Sequence, residues 1–350
     1  MPRPSPDVLP AAPAAPVPVR VGITAAAHVL PPTVLTTTDL QARVEAASGF
    51  TLPAGLLERI TGISERRVVV EGEQWASSLA IDAARVALAR AGREPEEVDL
   101  LLFASATRDF VEPATAHVVN HALGMRAHCL DVTNACNSFL NGLDLARAMI
   151  ESGRASTALV VTGETPSLST RWSVRDVRDA VHHFAGYTFG DAGAAVVVEP
   201  VATGGFGRTE TETHSEHWAV GGIFGGGSRY PRDHDKLYFT GAGAELKRVF
   251  EKIGPAIVDS TMAHAGLEWS DLAAVLVHQV TAPYVDRFCE VTGAPRDLLD
   301  VTIETHGNVA SATLPLQLSG QWDRLRPGDT VMLLGLGGGV SVMSTLWTKS

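Results

Sequence analysis

Cysteine is scarce in this chain: three thiols, Cys129, Cys136 and Cys289, among 350 residues. They are too few and too irregularly spaced for a disulfide framework or a zinc site, so no metal is expected and a reducing cytoplasm suits the chain. Positive charge is also short. Lys and Arg total 28 against 39 Asp and Glu, a formal charge of −11 that would repel nucleic acid and anionic membranes. The same balance disfavours an acidic carrier protein unless a local basic patch receives it. Arg171, Arg175 and Arg178 are the candidate patch, and a solvated helix face is the competing reading. Long apolar runs are missing as well: no stretch reaches the ~18 apolar residues of a membrane span. The Pro- and Ala-rich residues 1–19 hold no signal-peptide core and read as a disordered leader. A composition 45% hydrophobic and 19% charged can bury a large core, as one fold of two halves or as two to three domains.

What is present centres on residues 128–153. His128 to Thr133 reads as a short strand and the segment after Cys136 as a helix. Phe139, Leu140, Leu143, Ala146, Met149 and Ile150 fall on one helical face, and Gly153 supplies the stop. Cys136 lies at the junction, where the helix's first N–H groups have no partners and favour an anion. A thiol there is expected to ionise more easily than a free one and to suit covalent acyl transfer. The competing reading is a buried structural cysteine.

The rest of the chain alternates strand and helix. Strands are expected at Val19–Ala27, Leu100–Ala104, Ala158–Thr162, Ala274–Val277 and Thr330–Leu334. Helices are expected at 39–47, 56–61, 77–91, 255–266 and 310–320. Aligning Gly92 with Gly266 gives an offset of 174, and Asp131-Val132-Thr133 recurs as Asp300-Val301-Thr302 at 169. Two close offsets in the same order read as an internal duplication, residues 20–200 and 201–350, each half built around a mostly parallel sheet. If the halves meet about a pseudo-twofold axis, the turn of Cys136 faces the segment around residue 305, which carries His306 and Asn308. His278 ends the strand equivalent to 100–104, so Cys136, His278 and Asn308 should converge.

That set is chemically coherent. The sulfur would carry an acyl group, while His278 and the Asn308 amide would donate to a thioester oxygen as charge develops on it. The run Gly335-Leu336-Gly337-Gly338-Gly339 offers backbone N–H groups for a second oxyanion hole with that of Cys136. Alone, His278 reads as a core histidine and the glycines as a turn. His182-His183 lack partners at ligand spacing, and His214 and His217 sit in a polar, acid-rich loop. Trp172, Trp218 and Trp269 read as packing residues, and Cys129 and Cys289 as inert core thiols.

Together, Asn-Ala-Cys136-Asn-Ser-Phe, His278-Gln279 after Val-Leu-Val, Gly307-Asn308 before Ser311-Ala312 and Pro315, and Gly337-Gly338-Gly339 resemble the thiolase superfamily, nearest its β-ketoacyl synthase III branch. Phe189-Gly190-Asp191-Ala192-Gly193-Ala194 is similar to that family's Phe-Gly-Asp segment. The resemblance spans about residues 20–348. It implies an αβαβα five-layer α/β fold, a homodimer, and Gly338 as backbone donor. It also implies acyl-CoA or acyl-carrier-protein thioesters as substrates, with no cofactor. Asp109-Phe110-Val111-Glu112-Pro113-Ala114-Thr115-Ala116 resembles the motif of thiolases that join two fatty acyl-CoAs head to head in olefin and β-lactone pathways. There, Glu112 would cross the dimer as base for α-deprotonation; the competing reading is a plain loop carboxylate. His306 in Glu-Thr-His-Gly-Asn also fits this branch, and Phe189 and His306 are counted with the substrate-binding residues.

The chain departs from its family at the nucleotide clamp. The expected Trp and Arg before Thr-Gly-Ile are Leu56 and Ile60, leaving Arg59 as the substitute contact. Three readings follow. The first is a Claisen condensing enzyme, with or without loss of CO2. The second is an acyltransferase to an alcohol or amine, and the third a scaffold without chemistry.

Overall fold

The structure, a computed structural model, describes residues 19–241 and 243–350; the expected leader, apart from Val19, lies outside them. Sheet A contains β1 (Val21–Val29), β2 (Leu100–Ala104), β3 (His128–Val132), β4 (Ala158–Glu164) and β5 (Ala192–Pro200), in the order β1-β5-β4-β2-β3. Sheet B contains β6 (Gly205–Thr213), β7 (Leu272–Val277), β8 (Thr330–Gly337) and β9 (Ser341–Thr348), in the order β7-β8-β9-β6. The helices that cover them are α1 (Ala76–Ala91), α2 (Thr115–Ala122), α3 (Ser138–Glu151), α4 (Gly243–Ala265), α5 (Ala282–Thr292) and α6 (Thr313–Gln321).

The apolar strand runs explain the layering. A strand covered on both faces sends alternate side chains to different cores. Leu100, Leu102, Val160 and Val196 face a central cluster, whereas Leu101, Phe103, Val161 and Val197 face the cluster under α1 and α2. In sheet B, Val331 and Leu333 join the central cluster while Met332 and Leu334 join that under α4 and α5. Phe139, Leu140 and Leu143 of α3 and Leu314 and Leu318 of α6 fill the layer between the sheets. The result is the expected five layers, α/β/α/β/α. On the outside of sheet A, α1 presents an alanine face and lies almost on the backbone. A Cβ on Gly163 or Gly193 would overlap the carbonyl oxygens of Ala76 and Leu79.

The two sheets repeat one plan. In each, a parallel pair (β2/β4, β7/β8) is followed outward by two antiparallel strands (β5 and β1, β9 and β6). The place of β3 is taken in sheet B by a single parallel bridge between Val275 and Leu299, next to Asp300-Val301. Several expected boundaries move: the helix expected at 310–320 becomes Thr313–Gln321, and the strand expected at 330–334 runs on to Gly337. The first strand runs from Val21 to Val29, and the helix expected at 255–266 starts at Gly243 and passes through Pro255. Val249, Phe250, Ile253, Ile257, Val258 and Met262 are buried along it, and that packing outweighs the one backbone bond a proline removes. Among the described residues no helix is long and apolar enough to cross a membrane.

Candidate active site

Cys136 occupies a tight elbow between β3 and α3. Ala135 takes φ +48°, a left-handed value that costs a non-glycine residue free energy. The turn is closed by Asn137 N–H to the Asn134 carbonyl (3.0 Å) and Ser138 N–H to that of Ala135 (3.1 Å). Ser138 Oγ also donates to the Ala135 carbonyl at 2.7 Å. The second half builds the same elbow before α6. Ala310 has φ +48°, Ala312 N–H bonds the Val309 carbonyl at 3.0 Å, and Thr313 Oγ1 donates to the Ala310 carbonyl at 2.9 Å. The structural counterpart of Cys136 is therefore Ser311, at an offset of 175, and not residue 305. The 169 offset holds only for the strand echo. The short helix Ile303–His306 and the turn at Gly307–Asn308 lengthen the second connection.

The elbow of Cys136 packs on the end of sheet B. Asn137 Nδ2 donates to Ser341 O (2.9 Å) and Oγ (2.8 Å), and the space a Cβ would need on Gly335 is filled by Asn137 Oδ1. A Cβ on Gly338 would stand 3.8 Å from that of Ala135. His278, the residue after β7, bonds the adjacent strand through its N–H to Leu334 O (3.0 Å). The elbow of the second half packs on sheet A in the same sense: Ser311 Oγ lies 3.1 Å from the carbonyl oxygen of Ala104, at the end of β2. The Cys136 elbow thus lies against the end of β8, where the glycine run is, and β7, paired with β8, ends at His278.

His278 and Asn308 meet at one residue, Ala310, on the peptide groups either side of it. Ala310 N–H donates to Asn308 Oδ1 at 3.0 Å, which turns the amide nitrogen to the other side. The buried His278 ring has Nδ1 3.3 Å from Thr313 Oγ1 and is hydrogen-bonded to the Ala310 backbone. Burial pulls its pKa down to about 4, against the smaller opposing pull of that backbone bond, so the ring is neutral at neutral pH. Phe189 supports the same segment. It forms a parallel bridge with Asn308, Asn308 N–H bonds Thr188 O at 2.8 Å, and its ring packs edge-on to Phe239 at 5.4 Å.

The Cys136 thiol departs from expectation. Part of the residue is accessible, yet the sulfur is enclosed, and burial pushes its pKa up to about 12. The charge of Glu164 adds to the rise, and a backbone hydrogen bond opposes it weakly. In the resting protein desolvation outweighs the pull of the helix N-terminus. Sequence reading missed Glu164, the fully buried last residue of β4. It accepts hydrogen bonds from Ala106 N (2.7 Å), Thr107 N (3.0 Å), Thr107 Oγ1 (2.8 Å) and Ser311 Oγ. The signal that could have found Ser311 was the pairing of Ala135-Cys136-Asn137-Ser138 with Ala310-Ser311-Ala312-Thr313.

Other expected residues have surroundings of their own. Glu112 is exposed on the loop between β2 and α2, beside exposed Phe110 and Val111. Arg59 is exposed, 3.5 Å from Ala54 O. The His306 ring lies 2.8 Å from Thr305 Oγ1 and has Asp300, Arg67, Glu65 and His28 as electrostatic neighbours. The arginine patch is partly neutralised: Arg171 pairs with Asp235 at 2.7 Å and Arg175 with Asp179 at 3.2 Å. Cys129 and Cys289 are half-buried rather than core thiols, and Cys129 Sγ lies 3.3 Å from His117 Nδ1. His183 is tied to Phe239 O at 2.9 Å. Among the described residues no group of three His, Cys, Asp or Glu could hold a metal ion.

Known proteins resemble this arrangement over nearly its whole length. Residues 130–216 match the family model of 3-Oxoacyl-[acyl-carrier-protein (ACP)] synthase III, and residues 262–349 match that of its C-terminal part. A β-ketoacyl-[acyl-carrier-protein] synthase III of Erythrobacter litoralis is 31% identical, covering 92% of this chain and 97% of its own. The acyl-CoA:acyl-CoA alkyltransferase of Xanthomonas campestris is also 31% identical, over 94% and 99%. A substituted form of OleA from Xanthomonas campestris superposes with TM-score 0.85 at 27% identity, over 95% of this chain and 98% of that one. OleA with bound lauric acid and lauroyl-CoA gives TM-score 0.85 at 26% identity, over 95% and 100%.

Proposed function

The chain belongs to the 3-oxoacyl-[acyl-carrier-protein] synthase III family, and we propose that it joins two acyl-CoA molecules without loss of CO2, through an acyl-Cys136 thioester. It is an acyltransferase of the condensing type, and the steps below are our assignment. The Cys136 thiol passes its proton to His278 Nε2, the ring nitrogen left over once Nδ1 and the Ala310 backbone are engaged. The sulfur attacks the thioester carbonyl and CoA leaves as its thiolate, so that His278 Nε2 keeps the proton it took. The backbone N–H groups of Cys136 and Gly338 receive the oxyanion. A second acyl-CoA then loses an α-proton to Glu112 of the partner subunit. Its enolate oxygen accepts from His278 Nε2 and Asn308 Nδ2 while its carbon attacks the acyl group. A β-keto thioester forms, the released Cys136 thiolate takes the proton back from His278, and Glu112 gives its proton up to solvent, where the CoA thiolate is protonated. No cofactor enters the sequence.

One observation carries the condensation: the nucleophile's elbow and the His278–Ala310–Asn308 turn stand at the two equivalent helix starts of a duplicated fold. The choice of two acyl-CoAs is supported by the relative named acyl-CoA:acyl-CoA alkyltransferase and by the OleA likeness. A homodimer is supported by β3, an open edge of sheet A, and by exposed Phe110 and Val111 flanking Glu112. The relatives named synthase III favour a second reading, a decarboxylative condensation with a malonyl extender on a carrier protein. Acyl transfer to an alcohol or amine is the third.

The test is mass spectrometry after exposure to an acyl-CoA panel, followed by product analysis with and without malonyl-CoA. A Cys136 adduct and a β-keto product from acyl-CoA alone are expected. A product formed only with malonyl-CoA would move the chain to the second reading. Absence of any Cys136 adduct would end the assignment.

A further inference from the structure

We propose that Glu164 and Ser311 form a positioning pair, which holds the Ala310 turn and so aims His278 and Asn308 at the acyl group on Cys136. The proposal rests on the condensing reading above and adds two residues to it. Glu164 belongs to the first half and ends β4, whereas Ser311 belongs to the second half and stands where that half's own nucleophile would be. The duplication has left a hydroxyl in the second elbow. With a buried carboxylate facing it, that hydroxyl works as a tether. Ser311 Oγ donates to Glu164 Oε1, and a hydroxyl bonded to a carboxylate is held more firmly than one bonded to a neutral acceptor. The alternative acceptor, Ala104 O at 3.1 Å, is also in the first half, so both of its bonds cross between halves.

What the tether holds is specific. Ser311 follows Ala310, the left-handed residue whose N–H fixes Asn308 and whose backbone bonds the His278 ring. A turn of positive φ at alanine persists only where its surroundings over-determine it. Here the restraints are Thr313 Oγ1 on the Ala310 carbonyl and Ser311 Oγ on Glu164. Loosening the second would let the two donors of the condensation step drift, leaving the Cys136 elbow anchored on Ser341. The pair thus acts on acylation through His278 and on condensation through His278 and Asn308 together. Glu164 also acts on acylation through its charge. The charged or titratable groups around this cluster are Glu164 at the end of β4, Asp191 before β5 and His278 after β7. Asp191 is held separately by Val69 N (2.8 Å), Ser167 N (3.0 Å) and Ser167 Oγ. Burial raises the pKa of Glu164 itself, and the hydrogen bonds from Ser311, Ala106 and Thr107 oppose that rise; the ionised carboxylate they favour opposes a thiolate at Cys136.

Two variants and two readouts test this. The first readout is the pH dependence of Cys136 alkylation by iodoacetamide, followed on its peptide, which needs no substrate. Glu164→Gln should lower the inflection by about one unit or more, whereas Ser311→Ala, which loosens the same contact and keeps the charge, should leave it in place; an equal shift in both would make the role structural. The second readout separates acylation of Cys136 from condensation by enzyme already acylated. Ser311→Ala should slow condensation, which uses both His278 and Asn308, by about tenfold or more, and acylation, which uses His278 without Asn308, by a smaller factor, and Ser311→Thr should restore most of the loss. An unmoved inflection in a folded Glu164→Gln protein overturns the charge role. Parallel losses in both half-reactions, or no loss, in Ser311→Ala overturn the tether. If Glu164→Gln does not fold, Ser311→Ala decides alone. If wild type forms no acyl adduct, the function reading fails and the alkylation profile still decides for Glu164.

Discussion

His278 carries a cost that can be read as pH dependence. Its native pKa of about 4 lies below the usual 6.5, so between those values the unfolded chain binds more protons than the folded one. Stability from this group is therefore complete above about pH 6.5 and is lost as the pH falls toward 4. Denaturant melts at pH 7.5 and 4.5 should show wild type losing about 2–3 kcal/mol more than His278→Asn over that interval. Equal losses would mean that the ring is not buried neutral. At the same scale, Cys136 shows why residue type and local position mislead. The helix start that favours a thiolate is real, but enclosure and the charge of Glu164 act more strongly. Nothing local to Cys136 in the sequence announces an acid 28 positions away, at 164.

The elements are held at their spacing by backbone contacts as much as by side chains. Helix α1 lies on sheet A over Gly163 and Gly193, where no Cβ fits. Gly163→Ala should cost roughly 3 kcal/mol or more, since helix and strand must part. Gly153→Ala, at a helix end with φ +71° and open space around it, should cost only about 1 kcal/mol. Thermal melts of the two variants check the contrast; similar losses would sink the close-packing account. The elbows add a second prediction. Thr313→Val removes the hydroxyl that bonds the Ala310 carbonyl and sits near the His278 ring. A stability loss of about 1 kcal/mol is expected with a larger fall in condensation than in acylation, read by the same two assays. The strands at 100–104 and 158–164 were legible because both faces are buried and their apolar runs are continuous. The start of α4 was not, because Pro255 reads locally as a boundary and only packing on sheet B carries the helix across it.

At the scale of the whole molecule the open question of assembly has a direct test. If Glu112 serves the partner subunit's Cys136, Cys136→Ser and Glu112→Gln proteins are each inactive in condensation. Subunit exchange in an equimolar mixture should then restore about a quarter of wild-type activity, since half the dimers carry one complete site. No recovery would place the base in the same subunit or remove its role. The sequence by itself determined the alternation of strand and helix, through apolar periodicity, and the duplication, through echoed segments. The five-layer arrangement and the set Cys136, His278 and Asn308 came from its resemblance to the thiolase superfamily, because each of those residue types alone has a structural use as well. Tertiary structure alone decided which residues oppose one another across the pseudo-twofold. It matched Ser311, not residue 305, with Cys136, turned His306 toward Asp300 and Arg67, and set Glu164 against Ser311. Distances along the chain do not encode these facings, because the two connections differ in length and burial sets the balance between a helix start and a neighbouring charge.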